Sequence, residues 1–390
     1  MAIKEANIPQ NLVFHKENNL SWIKKIYLCM RKSMGFLGGG TMGTNRYIIG
    51  FCIVFLGHIS LEAVESVKIP LRGPVKDIAF SRDGSLVAIA DGVHTLIWRF
   101  IKESSAKSLG IRLATEIDSL LPGAILSWHG KEKSLMFVNN DHELLYLACE
   151  NKAFLWSGVA AFGEYDVVNA LWNVGGNDLI IISCLKTAPE YVMDEWYKID
   201  NDIHFMAEYP QKFDEIKSTC WNKSGTTFAF IEKGDLILSD RDFNTDALLA
   251  WGFFGCDAKK IKSVAWLAGH DDICAVITDK TGIEILKIKN RDALERLSNF
   301  GLCVSSVTAI AVHPVRKCIA AGFKDGTVRI WSLDDLKKPN EYLVINAHVD
   351  AVTSLAWHPK EDCIFSGSCD ETVGVWDVTE EIEMIPKWCL

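Results

Sequence analysis

An all-β fold, seven four-stranded blades closed into a radial propeller, is what the sequence of this 390-residue chain predicts. Three observations lead there. A six-residue phrase returns at intervals of 44 to 49 residues; the stretches between its occurrences are short apolar runs bounded by turn residues; and aromatic side chains make up 10% of the chain. Aromatic and β-branched residues fit half-buried pleated surfaces, so that abundance favours strands.

The phrase reads VKDIAF, GAILSW, VVNALW, IKSTCW, IKSVAW, VTAIAV and VTSLAW, ending at Phe80, Trp128, Trp172, Trp221, Trp266, Val312 and Trp357. Short turns follow it, such as SRDGS, NVGGND, NKSGTT and HPKED. Next come two apolar runs, for example LVAIA and TLIW, FAFI and LILS, CIAAG and TVRIW, CIFSG and TVGVW. Runs of this length, rich in Val, Ile, Phe and Trp and punctuated by Gly, Asp and Asn, are strands. With a connecting strand, each period makes a four-stranded unit. Such a unit cannot bury both faces alone and must stack on its neighbours.

A closed ring ties its last blade to its first, because a free sheet edge invites pairing with other chains. VKIPLRG (67–73) precedes the first phrase as LVINAH precedes the last. Val67 to Pro70 is therefore predicted to be the outer strand of blade seven. The propeller spans 64–378, followed by a tail at 379–390.

In the last unit His348, Ser366, Asp370 and Trp376 stand at the spacing of a hydrogen-bonded tetrad, and Trp376 is followed by Asp377. On these residues the chain resembles the WD40-repeat β-propeller family. The preceding unit keeps Asp325 and Trp331, with Ala321 at the Ser position, and the first unit keeps Trp98. The resemblance implies that these groups tie loops to strands within a blade. It also implies that residues just before the inner strand and in the turn before the third strand face protein partners: here Arg72, Lys324, Asp350 and Cys369. Two longer connections, 101–122 and 185–195 with Tyr191, Met193 and Trp196 nearby, are further candidates, since long loops tend to carry function.

Ser, His and Asp also make nucleophilic triads, but a triad needs a His-activated Ser beside an oxyanion hole, and no catalytic residue is assigned. Enzymatic propellers place ligands around the central channel. The third column of the phrase reads Asp77, Ile125, Asn169, Ser218, Ser263, Ala309 and Ser354. One acid and one Asn fall short of the several carboxylates a Ca²⁺ cage requires. A metal-dependent hydrolase or lyase built on Asp77 and Asn169 is the alternative reading. The twelve cysteines contain no CxxC pair, so no zinc site is expected. His313-Pro314 and His358-Pro359 recur after the inner strand, which indicates turn chemistry rather than a metal pair. The glycine-rich 36–44 lacks the Lys-Ser/Thr of a phosphate-binding loop. No cofactor is expected.

Residues 64–390 hold 34 basic and 47 acidic side chains, a balance unsuited to nucleic acid. The expectation is a monomeric, non-enzymatic scaffold that presents its end faces to protein partners.

Residues 1–46 form a basic lead, and 47–63 contain the apolar stretch YIIGFCIVFLGHI. Thirteen residues are short for a membrane span but suit the core of an export signal, with Ala63 at a cleavage position and translation starting at Met1, Met34 or Met42. Export or membrane association through 47–63 is the favoured expectation. The unpaired cysteines favour the cytoplasm as the alternative.

Overall fold

The computed structural model describes residues 66–379, apart from short stretches of which 103–110, 241–248, 252–260 and 301–305 are the longest. The basic lead, the apolar segment 47–63 and the tail beyond Thr379 lie outside the described residues. Among the described residues no helix is long and apolar enough to cross a membrane.

Among the described residues, twenty-eight strands form seven antiparallel four-stranded sheets. The seven phrases are the innermost strands: Asp77–Phe80, Gly123–Trp128, Tyr165–Trp172, Ile216–Trp221, Ile261–Trp266, Val307–Val312 and Val352–Trp357. Six blades are built from consecutive strands, whereas blade seven takes its outer strand, Ser66–Pro70, from the start of the described chain. That strand pairs antiparallel with Thr372–Asp377, from Ser66 opposite Trp376 to Pro70 opposite Thr372. The closure read from the sequence is thus the one the fold adopts.

The second strand of each blade is the most buried. Leu86–Ala90, Ser134–Asn139, Ile273–Thr278, Cys318–Phe323 and Cys363–Ser368 are buried at every position. A strand sandwiched between two neighbouring sheets carries apolar residues on both faces, so it reads as a continuous run without alternation. The core lies between blades. One cluster joins Val87, Ile89 and Trp98 of blade one to Cys363, Phe365 and Val375 of blade seven, and another joins Ile277 and Ile285 of blade five to Ile319 and Phe323 of blade six.

Six of the seven inner strands carry a register shift near their start, between the first and third or the second and fourth residue of the phrase. A bulge adds a residue to one strand of a pair and bends it, which frees backbone groups of the inner strands for partners on the next blade.

The two longer connections do not match the expectation from sequence. In 101–122 the third and fourth strands of blade one run on as Thr95–Lys102 and Ile111–Leu120. In 185–195 a short turn leads directly into Tyr191–Ile199. Met193 is fully buried and packs with Ile180, Ile182 and Phe213, so it is core rather than a display loop.

Candidate functional site

Within each blade the inner strand starts at the end of the ring where the second strand finishes. That end collects 71–76 and 91–94 from blade one, 306 and 324–326 from blade six, and 347–351 and 369–371 from blade seven. A series of backbone hydrogen bonds fixes them to one another. Leu71 N–H donates to Glu371 O at 2.8 Å, Val75 N–H to Ser368 O at 3.0 Å, Cys369 N–H to Ala351 O at 3.0 Å and His348 N–H to Gly326 O at 3.0 Å. Lys324 N–H donates to Ser306 O at 3.0 Å. Gly326 has φ +83°, and a Cβ there would meet His348 O at 2.2 Å. Only glycine lets the blade-six turn press against the blade-seven loop this closely.

The blade-seven tetrad residues meet beneath this surface. Trp376 Nε1–H donates to Ser366 Oγ at 2.8 Å, and Ser366 Oγ lies 2.8 Å from His348 Nε2. His348 Nδ1 lies 3.1 Å from both Asp370 carboxylate oxygens and 3.0 Å from Thr372 Oγ1. One proton arrangement satisfies the chain: indole to hydroxyl, hydroxyl to Nε2, Nδ1–H to carboxylate. Burial holds the His348 ring below the ordinary imidazole value, with Asp370 opposing. Burial opposes the charge on Asp370, but hydrogen bonds from Thr372 and Val349 N–H, with the His348 ring, keep its carboxyl below the usual range. The Ser is locked between two buried partners, an arrangement that braces a turn.

The partial tetrads do less. Asp325 is exposed and accepts from Thr327 N–H at 3.0 Å and Thr327 Oγ1 at 2.7 Å. Trp331 packs on Phe300 and Phe323, and Trp98 fills the core between blades seven and one. Sequence reading missed Asp91. It is buried and accepts from Arg72 N–H at 3.2 Å, Val93 N–H at 2.8 Å and His94 N–H at 2.5 Å. Asp91 stands seven residues before Trp98, where Asp370 stands six before Trp376. Allowing the turn one extra residue would have found it.

Of the four residues assigned to partners, Arg72, Lys324, Asp350 and Cys369 are all exposed on this end of the ring. Beside Asp350, Val349 is 90% exposed, and Val93 of blade one is 44% exposed. Arg72 Nη1 lies 3.3 Å from His94 Nε2.

The channel column links neighbouring blades. Leu126 N–H of blade two donates to Asp77 Oδ2 at 3.0 Å, Ile78 N–H to Ser354 Oγ of blade seven at 3.2 Å, and Asn169 Nδ2 to Thr219 Oγ1 of blade four at 2.8 Å. Val264 N–H of blade five donates to Ser218 Oγ at 3.1 Å. Among the described residues no group of three or more His, Cys, Asp or Glu could hold a metal ion. Burial pushes the Asp77 carboxyl up to about 6, against hydrogen bonds from Leu126, Ile78 and Ser354. A raised carboxyl pKa means the folded state keeps its proton longer, so this stabilisation is complete below about 4 and is lost as pH rises through about 6. Asp77→Asn does not titrate. Its stability relative to the native chain is expected to rise by on the order of 2–3 kcal/mol between pH 4 and 7, measured by urea denaturation across that range. A pH-independent difference would contradict a buried, titrating Asp77.

At the opposite end, His313 Nδ1 accepts from Val315 and Arg316 N–H at 3.1 and 2.9 Å, and His358 Nδ1 from Lys360 and Glu361 N–H at 3.2 and 2.9 Å. Both imidazoles fold their own turns. Cys274, Cys318 and Cys363 are buried at matching places in the second strands. Burial pushes the Cys274 thiol up to about 12, the behaviour of an inert core residue.

The family model described as WD domain, G-beta repeat (WD40) matches residues 300–332 and 340–377. Among solved structures, the chain is similar to the Myceliophteria thermophila Cps50 (Swd1) β-propeller domain, at 13% identity and TM-score 0.61, covering 80% of this chain and all of that one. It is also similar to a chain in the crystal structure of a mitotic checkpoint complex, at 17% identity and TM-score 0.62, covering 82% of this chain and 96% of that one. At these identities the likeness establishes the fold alone. No curated protein matches the sequence.

Proposed function

Because this chain is a WD40-repeat β-propeller of seven blades, we propose that it is a non-enzymatic scaffold that binds protein partners on the end of the ring formed by blades six, seven and one. The observation that carries the reading is the exposed arc of Arg72, Lys324, Val349, Asp350 and Cys369 on loops held together by backbone hydrogen bonds. Loops pinned in this way lose little conformational freedom on binding, and an apolar centre with charged neighbours is the composition of a protein contact. One of the structural neighbours belongs to a multi-protein complex, in keeping with that use of the fold. The tetrad supports the arc from below and has no part in chemistry on this reading.

Arg72→Glu combined with Val349→Asp changes only exposed side chains of the arc. Affinity purification under native conditions is expected to recover protein partners with the native chain and to lose them with the double variant, at an unchanged melting temperature. Recovery of the same partners by both chains would place the interface elsewhere. The metal-dependent alternative predicts stoichiometric Ca²⁺ or Zn²⁺ in the purified protein, lost on mutating Asp77 and Asn169.

A further inference from the structure

We propose that a cleft between blades five and six, on the end of the ring opposite the Arg72–Cys369 arc, is a docking groove for this chain's own residues 380–390. Leu267 and Leu333, both almost fully buried, form its floor; Val312 and Leu336 are half-buried in its walls, and Arg316 and Lys317 stand at its edge. Asp334, also at the edge, is engaged by Ser332, whose hydroxyl donates to its Oδ2 at 2.8 Å. Val315, adjacent in sequence to Arg316, is 72% exposed. An apolar trough with Lys317 at its margin, Arg316 being paired with Asp362, fits a segment that interleaves apolar and acidic side chains. Residues 380–390 read EEIEMIPKWCL, with Glu380, Glu381 and Glu383 around Ile382, followed by Met384 and Ile385.

The point at which this segment leaves the propeller favours it over other occupants. Val378 N–H donates to Asp362 O at 2.9 Å. The Asp362 carboxylate accepts from Arg316 Nε at 3.1 Å and Arg316 Nη2 at 2.7 Å, and Arg316 is a wall of the cleft. The tail therefore starts beside a residue tied directly to the groove. Its eleven residues can span up to about 36 Å when extended, several times the roughly 10 Å between packed sheets. A tethered segment also meets the groove at an effective concentration in the millimolar range, which neither a second copy nor a separate acidic peptide has without the tether.

Hydrogen exchange on the full-length chain tests this. With Ile382→Asp and Met384→Asp together, amides of 267–272 and 333–338 are expected to exchange about tenfold faster, while amides of blade two stay unchanged as an internal control. Changing Glu380, Glu381 and Glu383 to Lys should have a similar effect, greatest at low salt. In the reciprocal experiment Leu336→Asp should speed exchange within 380–390. Protection of the groove that is identical in native and tail-variant chains would overturn the proposal. So would protection that disappears on dilution, which would assign the groove to the tail of a second copy.

Discussion

Deleting residues 66–70 is expected to lower the melting temperature by about 10 °C or more and to make the protein prone to self-association. The strand contributes all five register pairs of the outer edge of blade seven. Ile69 packs on the cluster that joins blade seven to blade one. Without this strand Thr372–Asp377 becomes a free edge, and Val373 and Val375, now fully buried, lose cover. The loss combines several backbone hydrogen bonds, each worth about 1 kcal/mol net, with apolar burial at about 25 cal/mol per Å². For a domain of this size 1 kcal/mol corresponds to roughly 2–4 °C. Calorimetry combined with light scattering checks both effects, and an unchanged transition in a monomeric protein would refute closure by this strand. Free edges are the surfaces through which β proteins aggregate, so the scattering change is expected even below the new transition.

Ser366→Ala is expected to cost about 2–4 kcal/mol, and Asp370→Ala about 1–3 kcal/mol, whereas Asp325→Ala in the neighbouring blade should stay within about 0.5 kcal/mol. Ser366 is fully buried and serves two partners at 2.8 Å, so its removal leaves the Trp376 N–H and His348 Nε2 unpaired where water does not reach. Asp370 is half-buried; losing it strips the partner from Val349 N–H and leaves His348 Nδ1 only the Thr372 hydroxyl in place of a carboxylate. Asp325 has the same place in its own turn but is exposed and, among the described residues, binds only Thr327. Chemical denaturation of the three variants, with the double variant Ser366→Ala/Asp370→Ala added, separates the contributions. The double variant should cost less than the sum of the single changes, since both act through the His348 ring.

Contrasts of this kind show what the sequence could and could not disclose. Seven inner strands were legible because each ends in a large apolar residue at nearly constant spacing, and the second strands because burial on both faces leaves an uninterrupted apolar run. The strands in 101–122 and 185–195 look like loops in the sequence for the opposite reason. Tyr191–Ile199 carries Asp194 and Glu195 between Met193 and Trp196, and Glu195 is buried, so its charged residues mask a strand from any reading based on apolar runs. Asp91 escaped because a single extra turn residue moved it off the expected spacing. The tetrad was legible as a spacing, since its four members lie within one blade.

Blade number and ring closure were thus legible in the sequence alone, because the inner-strand phrase repeats at a nearly fixed interval and the segment before its first copy stands where the outer strand of the last blade is needed. The tertiary structure alone decided the relations between blades. Asp77 accepts the Leu126 amide 49 residues away, and Ile78 reaches Ser354 across 276 residues. The loops bearing Arg72, Lys324, Asp350 and Cys369 adjoin one another only because the ring closes. Which polar groups face each other across a blade interface depends on the rotation between sheets, and that rotation is set by packing all seven around a common axis. No single repeat encodes it.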